Sequence, residues 1–303
     1  MTLTQTAYAK INLALHVRER RDDGYHVLET LFAFVDAGDT LMAKVADQDS
    51  LQTFGEFAGL LASPLPSLGG GVGGGGYEPS IEEHPHLNPP PQGGGGVLDN
   101  LVARALAVLP RSQGLAITLE KNLPVAAGLG GGSADAGAVF RMVEELHGLP
   151  EDWQDRAAKL GADVPSCVRS EMAIGHGTGT ELIEVENDLK GTPVLLVNPR
   201  VPLSTGAVFK AWDQVDRGPL PTGSARTIAL EGRNDLDAPA LALCPVIGEV
   251  IAALEGTEAW LSRMSGSGAT CFALFDTVEQ CEAAQAQIAQ IHPQWWMLGG
   301  KLR

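Results

Sequence analysis

The chain has 303 residues, of which 44% are hydrophobic and 19% charged, with a formal net charge of −16. That composition suits a globular protein of two domains, and the acidic balance excludes a nucleic-acid or anionic-membrane surface, which needs clustered cations. Cys167, Cys244, Cys271 and Cys281 are scattered without CxxC spacing, so they read as reduced thiols rather than zinc ligands or disulfides; with no apolar leader or run of about 20 apolar residues, a cytoplasmic location is expected.

Residues 7–17, AYAKINLALHV, alternate as a half-buried strand does, with Lys10 and Asn12 on one face. DDG at 22–24 is a turn signal, and residues 31–45 are strand-like on either side of a second turn at Gly38-Asp39. Residues 63–96 are more than half glycine and proline, too little apolar surface to offset the entropy of ordering, so a disordered surface insertion is expected. Residues 98–109 form an amphipathic helix capped by Asp99 or Asn100. The alternating run 114–121 is a strand leading into LPVAAGLGGGSADAG, residues 123–137. Beyond it, Ala134, Ala138, Val139, Met142, Val143 and Leu146 recur at helical spacing. A helix over 151–160 ends at Gly161.

The second half begins near residue 168. It carries a strand at 192–199, a capped helix at 204–212, a longer helix at 239–254, a small-residue loop running into a strand at 271–275, and a helix at 278–291. Strands and helices mix without strict βαβ alternation, which predicts an α+β class with domains 1–167 and 168–303 meeting around the glycine-rich loop.

The order strand, glycine-rich loop, helix N-terminus attracts phosphate, because glycines admit close backbone approach and the free N–H groups of a first helical turn point at the ligand. Ser133 falls where an N-cap hydroxyl sits, or where it reaches a phosphate-bound magnesium ion. No GxxxxGK[ST] occurs, and Gly128-x-Gly130 lacks the third glycine of a dinucleotide fingerprint. Lys10 stands among isoleucine, leucine and alanine, where an ammonium needs either a partner or an edge position with its head in water. Asp163 lies between the helix-terminating Gly161 and Pro165, in a short turn; there it is a cap residue or a proton acceptor.

AKINL, the 123–137 loop and MSGSGATCFALF (264–275), in this order, resemble the GHMP kinases, which include galactokinase and the homoserine, mevalonate and phosphomevalonate kinases. The likeness runs along nearly the whole chain except 63–96. DDGYH (22–26) and GADVPSC (161–167) are similar to the branch of that family whose acceptor is a cytidyl-diphosphate-linked methylerythritol. The resemblance implies a two-domain α+β fold, with an N-terminal domain like domain 2 of ribosomal protein S5 and a ferredoxin-like C-terminal domain. It also implies ATP- and Mg2+-dependent phosphorylation of the acceptor's 2-hydroxyl. By the same resemblance, Pro124, Val125, Ala126, Ala127, Gly128, Leu129, Gly130, Gly131, Gly132, Ser133 and Ala134 form the ATP loop, Asn100 and Lys121 lie near adenine and ribose, and Ser133 faces the metal. Asp163 is the catalytic base; Lys10 orients it and lowers the pKa of the accepting hydroxyl. Substrate falls to Asn12, Tyr25, His26, Thr205 and Phe209, with Tyr25 and Phe209 sandwiching the cytosine and His26 at its edge. Gly206 departs from the family pattern by replacing a proline.

Three rivals fit less well. A GHMP kinase for a small alcohol has no use for a base clamp. A dinucleotide oxidoreductase needs an acidic residue at the end of the next strand, and Glu144 and Glu145 lie inside a helix instead. A binding module recruiting a partner through Pro89-Pro90-Pro91 does not need Lys10 and Asp163. The expected partners are therefore small molecules, with the protein a monomer or weak homodimer. Loop closure costs grow only logarithmically with length, so replacing residues 64–96 by a few residues should leave melting temperature and turnover close to the parent; an unfolded or inactive product would show that the insertion packs on the domain.

Overall fold

The computed structural model describes residues 2–60, 100–179 and 181–303; the glycine- and proline-rich insertion expected at 63–96 lies outside them. Two unusually long strands, β1 (Thr2–Arg20) and β2 (His26–Ala46), form an antiparallel hairpin closed by Arg21 N–H donating to Tyr25 O at 2.7 Å. The half of β2 near its end pairs with β4 (Gly114–Glu120), which takes β3 (Ser50–Phe54) in parallel on its far side. The half near its start pairs with β5 (Ala173–His176), and β5 with β6 (Glu181–Glu184). The turn expected at Gly38-Asp39 is not there: β2 runs straight through, with Tyr8 opposite Gly38 and Ala7 opposite Asp39. The glycine serves a close approach instead, since a Cβ on it would sit 1.9 Å from Ala7 O.

Helices α1 (Leu101–Val108), α2 (Gly131–His147), α3 (Trp153–Leu160) and α4 (Val164–Arg169) close a core with one face of this sheet, where Phe34, Leu115, Leu119, Phe140 and Val143 are fully buried. The second sheet has the order β10-β7-β9-β8, with β7 Pro193–Asn198, β8 Leu261–Met264, β9 Cys271–Leu274 and β10 Trp296–Lys301, every pair antiparallel. Between β7 and β8 lie α5 (Thr205–Lys210), α6 (Ala225–Glu231), α7 (Asp237–Leu243) and α8 (Val246–Glu255); α9 (Val278–Ile291) joins β9 to β10. This is the βαββαβ arrangement of a ferredoxin-like domain. The single helix expected over 239–254 is two, because Pro245 has no N–H to continue the ladder and the chain breaks at Cys244.

Alternation along β7 serves both sides of the second sheet. Val194 and Leu196 join Ile11, Leu13, Phe272 and Trp296 in a core between the two sheets, while Leu195 and Val197 face a separate core under α8 and α9. The first sheet keeps β5 and β6, so the division by sheet falls between Glu184 and Pro193 rather than at the expected residue 167. All four cysteines are buried free thiols. Among the described residues no helix is long and apolar enough to cross a membrane.

Candidate active site

The glycine loop lies between β1 and the loop at 264–270. Lys10 N–H donates to Leu129 O at 3.0 Å, Thr270 N–H to Ala127 O at 3.2 Å, and Ser265 Oγ to Gly128 O at 2.8 Å. A Cβ on Gly128 (φ 75°) would fall 2.4 Å from Ser265 O, and one on Gly130 (φ 62°) 3.3 Å from Lys10 Cε. Here the glycines supply both left-handed backbone and contact distance. Ser133 does not cap α2: Gly130 does, in the left-handed region and without a side-chain bond, so Ser133 is the third helical residue. The helix opens with Gly131, Gly132 and Ser133, whose N–H groups have no helical partner, and its first turn carries no acidic residue. That end therefore presents the positive end of the helix dipole. Ala126, at φ 53°, holds a left-handed conformation unusual for a residue with a side chain. Pro124 and Val125 lead into the loop, with Val125 exposed and Ala134 buried beneath it.

Beside the loop, Lys10 Nζ meets Asp163 Oδ2 at 3.0 Å. The lysine side chain is 6% exposed and the aspartate 36%, so the pair is dry on one side and open on the other. Register shifts between Tyr8 and Lys10 and between Asn12 and Ala14 bracket Lys10, bulges of the kind that re-aim side chains near active sites. The ammonium also stands 4.5 Å from the centroid of the buried Phe32 ring. Asp163 lies at the start of the short helix α4 rather than in a plain turn, with Pro165 in the first turn; its carboxylate makes no capping bond. The far end of α4 is held from α2, where Arg141 Nη1 donates to Cys167 O at 2.7 Å and Val168 O at 3.2 Å. Burial, with Asp163 adding, pushes the Cys167 thiol up to about 12, which leaves it inert.

Two residues expected near adenine and ribose are otherwise engaged. Lys121 is buried, with Nζ donating to Asp39 and to Asp135 Oδ2 at 2.8 Å. Its ammonium is engaged inside the protein. Asn100 caps α1, its Oδ1 accepting from Val102 N–H at 2.9 Å. Asp135, on the first turns of α2, is the third member of the Lys121 cluster.

On the acceptor side, Asn12 is buried and donates through Nδ2 to Thr30 Oγ1 at 2.8 Å, so one amide donor already ties β1 to β2. Its N–H reaches Ser265 Oγ at 3.2 Å, the hydroxyl that also holds Gly128 O. Thr205, the first residue of α5, pairs with Ser267 at 2.9 Å between hydroxyls. Phe209 meets His26 with ring centroids 5.0 Å apart, and Tyr25 precedes His26 on the same hairpin, half-buried. Burial first, and then the charge of Arg20, lowers the His26 pKa, so its imidazole is neutral near pH 7. Gly206, where the family pattern has proline, is open: a Cβ there meets only Ser204 Oγ, at 4.0 Å.

Several supporting residues carried no sequence signal. Asn234 Nδ2 donates to Met264 O and Gly266 O at 3.0 and 2.8 Å, fixing the loop that backs the glycines. Arg263 Nη1 donates to Ala229 O at 2.9 Å and to Leu13 O, and Nη2 to Gly232 O at 2.8 Å. Asp39 read as a turn residue. Trp212 had a signal, its three-residue spacing from Phe209.

Comparison with known proteins agrees with this geometry. The model of the GHMP kinase N-terminal domain matches residues 100–171, and that of the GHMP kinase C-terminal domain residues 223–293. A 4-diphosphocytidyl-2-C-methyl-D-erythritol kinase of Novosphingobium aromaticivorans is 61% identical over all of this chain and 94% of its own. One from Erythrobacter litoralis is 57% identical over 99% and 100% of the two chains. A crystal structure of 4-(cytidine 5'-diphospho)-2C-methyl-D-erythritol kinase superposes with a TM-score of 0.75 at 28% identity, covering 99% of each chain. A homoserine kinase structure from Cytophaga hutchinsonii shares the fold, with a TM-score of 0.58 at 16% identity, covering 99% of this chain and 95% of its own. Two sheets joined across a glycine loop, with a lysine–aspartate pair against it, define a small-molecule kinase of the GHMP class. At this identity over the full chain, the protein belongs to the 4-diphosphocytidyl-2-C-methyl-D-erythritol kinases.

Proposed function

We propose that the protein transfers the γ-phosphoryl group of ATP to the 2-hydroxyl of 4-diphosphocytidyl-2-C-methyl-D-erythritol, releasing ADP and the 2-phosphate. The observation that carries the reading is the Lys10–Asp163 pair, 3.0 Å apart, lying directly against Gly130 of the phosphate-type loop. The N-terminus of α2 holds the phosphates. The acceptor oxygen bonds to the γ-phosphorus as the bond to ADP breaks, and Asp163 takes the hydroxyl proton. Lys10 orients that carboxylate and stabilises the developing alkoxide.

Mg2+ fits this site as a partner of the nucleotide. Among the described residues no three His, Cys, Asp or Glu side chains lie together as a metal cage; a cation that keeps several waters and takes one or two protein ligands beside phosphate oxygens needs none. Ser133, whose Oγ is 4.0 Å from where a Cβ on Gly161 would be, is the protein group that would hold it. When bound, the ion neutralises charge on the phosphates. Free thiols support a cytoplasmic location.

A coupled ADP-release assay tests the reading, with the cytidyl substrate run beside mevalonate and homoserine. Efficient turnover is expected with the first alone; comparable kcat/KM on either small alcohol would overturn it. Removing one stacking ring costs about 1–3 kcal/mol in base-binding sites. Tyr25→Ala and Phe209→Ala should therefore raise KM for the cytidyl substrate by roughly 5- to 150-fold, with KM for ATP unchanged. Equal losses for ATP would count against the clamp.

A further inference from the structure

His26, at the start of β2, is wedged between two rings from the C-terminal end of α5. The Phe209 centroid is 5.0 Å away at a tilt of 37°, and the Trp212 centroid 5.7 Å away, edge-on at 82°. The Trp212 backbone N–H donates to Phe209 O at 3.2 Å, so both rings are carried by one turn of chain. Trp212 is 4% exposed. Both His26 Nε2 and Trp212 Nε1 are buried without a hydrogen-bond partner. An unpaired buried polar atom lowers stability and calls for an explanation; two in one aromatic cluster, beside the ring expected to stack on a nucleobase, point to a ligand that supplies the missing partner.

We infer that Trp212 is a positioning residue for base selection: its edge fixes the plane of the His26 imidazole and leaves Nε2 to read the polar edge of the substrate's base. This rests on the functional reading above. Cytosine and uracil have nearly the same outline and stack alike, so Phe209 and Tyr25 cannot tell them apart. They differ in the donor and acceptor pattern of the pairing edge, which only a hydrogen-bonding group can sense, and that group discriminates only as sharply as its own orientation is fixed. A tilted Phe209 alone leaves the imidazole free to turn about its bond to Cβ; an edge-on indole at right angles removes that freedom.

The test compares cytidyl and uridyl forms of the acceptor with the wild type and with Trp212→Leu, Trp212→Met and Trp212→Phe. The wild type should prefer the cytidyl form. Leu and Met variants should raise KM for it by about 10-fold, shrink the preference over uridyl by a similar factor, and leave KM for ATP unchanged. Trp212→Phe, which restores an aromatic edge, should recover part of the preference. Methionine is flexible enough to fill the vacated core, so it keeps the test decisive if the leucine variant does not fold. A merely structural tryptophan predicts lower melting temperature and equal losses on both acceptors. That result, or a Phe variant no better than Met, overturns the inference. A wild type inactive on both acceptors instead defeats the functional reading, and the inference with it.

Discussion

Asp163→Asn should lower turnover by roughly 100-fold or more, the usual range for losing a general base, with ATP binding retained. The structure makes this a clean substitution. Asp163 begins α4, but its side chain caps nothing. The helix is anchored through backbone atoms, by Ser166 Oγ donating to Asp163 O at 2.8 Å and by Arg141 at the far end. An amide in place of the carboxylate therefore leaves the helix seated. Lys10 loses its anion but keeps the Phe32 ring at 4.5 Å. The control is Asp135→Asn, one turn into α2, which should keep most turnover because that carboxylate is buried against Lys121. Initial rates and nucleotide affinity on folded variants decide it: a small effect at Asp163 and a large one at Asp135 would move the base to the glycine loop's own aspartate.

What could be read from the sequence was what short-range chemistry dictates. The helix at Val278–Ile291 was legible in its own run of residues, and Thr277 and Gln280 form a capping box at its start; α1 announced itself through Asn100. Lys10 was conspicuous because an ammonium in an apolar strand needs an anion, and Asp163 is that anion across 153 residues of chain. Other features rest on contacts between distant segments. Gly38 looked like a turn because nothing local says that Ala7 O will lie against it. Ser133 looked like a cap because nothing local says that Gly130, packed against Lys10, will take the left-handed cap position. The Lys121–Asp39 pair was hidden because Asp39, 82 residues earlier, read as a turn residue. The first domain keeps β5 and β6 because β2 is long enough to pair with two further strands, which no window of sequence reveals.

The buried cluster of Lys121, Asp39 and Asp135 carries the largest expected effect on stability. Asp39 also accepts from Asn122 N–H at 2.6 Å and Leu123 N–H at 2.8 Å, tying the entry of the glycine loop to β2. Lys121→Met should destabilise the fold by about 3–5 kcal/mol, because it leaves the buried Asp39 carboxylate without its cation; at this chain length that is roughly 5–8 °C in Tm. Asp135→Asn keeps the Lys121–Asp39 pair and should cost about 1 kcal/mol near pH 4 or below, where the wild-type side chain is neutral as well. The two variants also differ in pH dependence. Burial pushes Asp135 up to about 8, with Asp39 adding and Lys121 opposing, whereas in the unfolded chain it titrates near its ordinary 3.8. Burial also works against the charge on Lys121, but Asp135 and Asp39 outweigh it and raise that pKa, so the lysine stays charged across this range. Between those two values the folded protein holds a proton at Asp135 that the unfolded chain has released, so this group's contribution to stability falls as pH rises from about 4 to about 8. Denaturant unfolding of wild type and Asp135→Asn across that range should show the wild type losing ground to the variant as pH rises. A difference independent of pH, or a Lys121→Met protein that melts with the wild type, would show that the cluster is not held as a buried, proton-retaining triad.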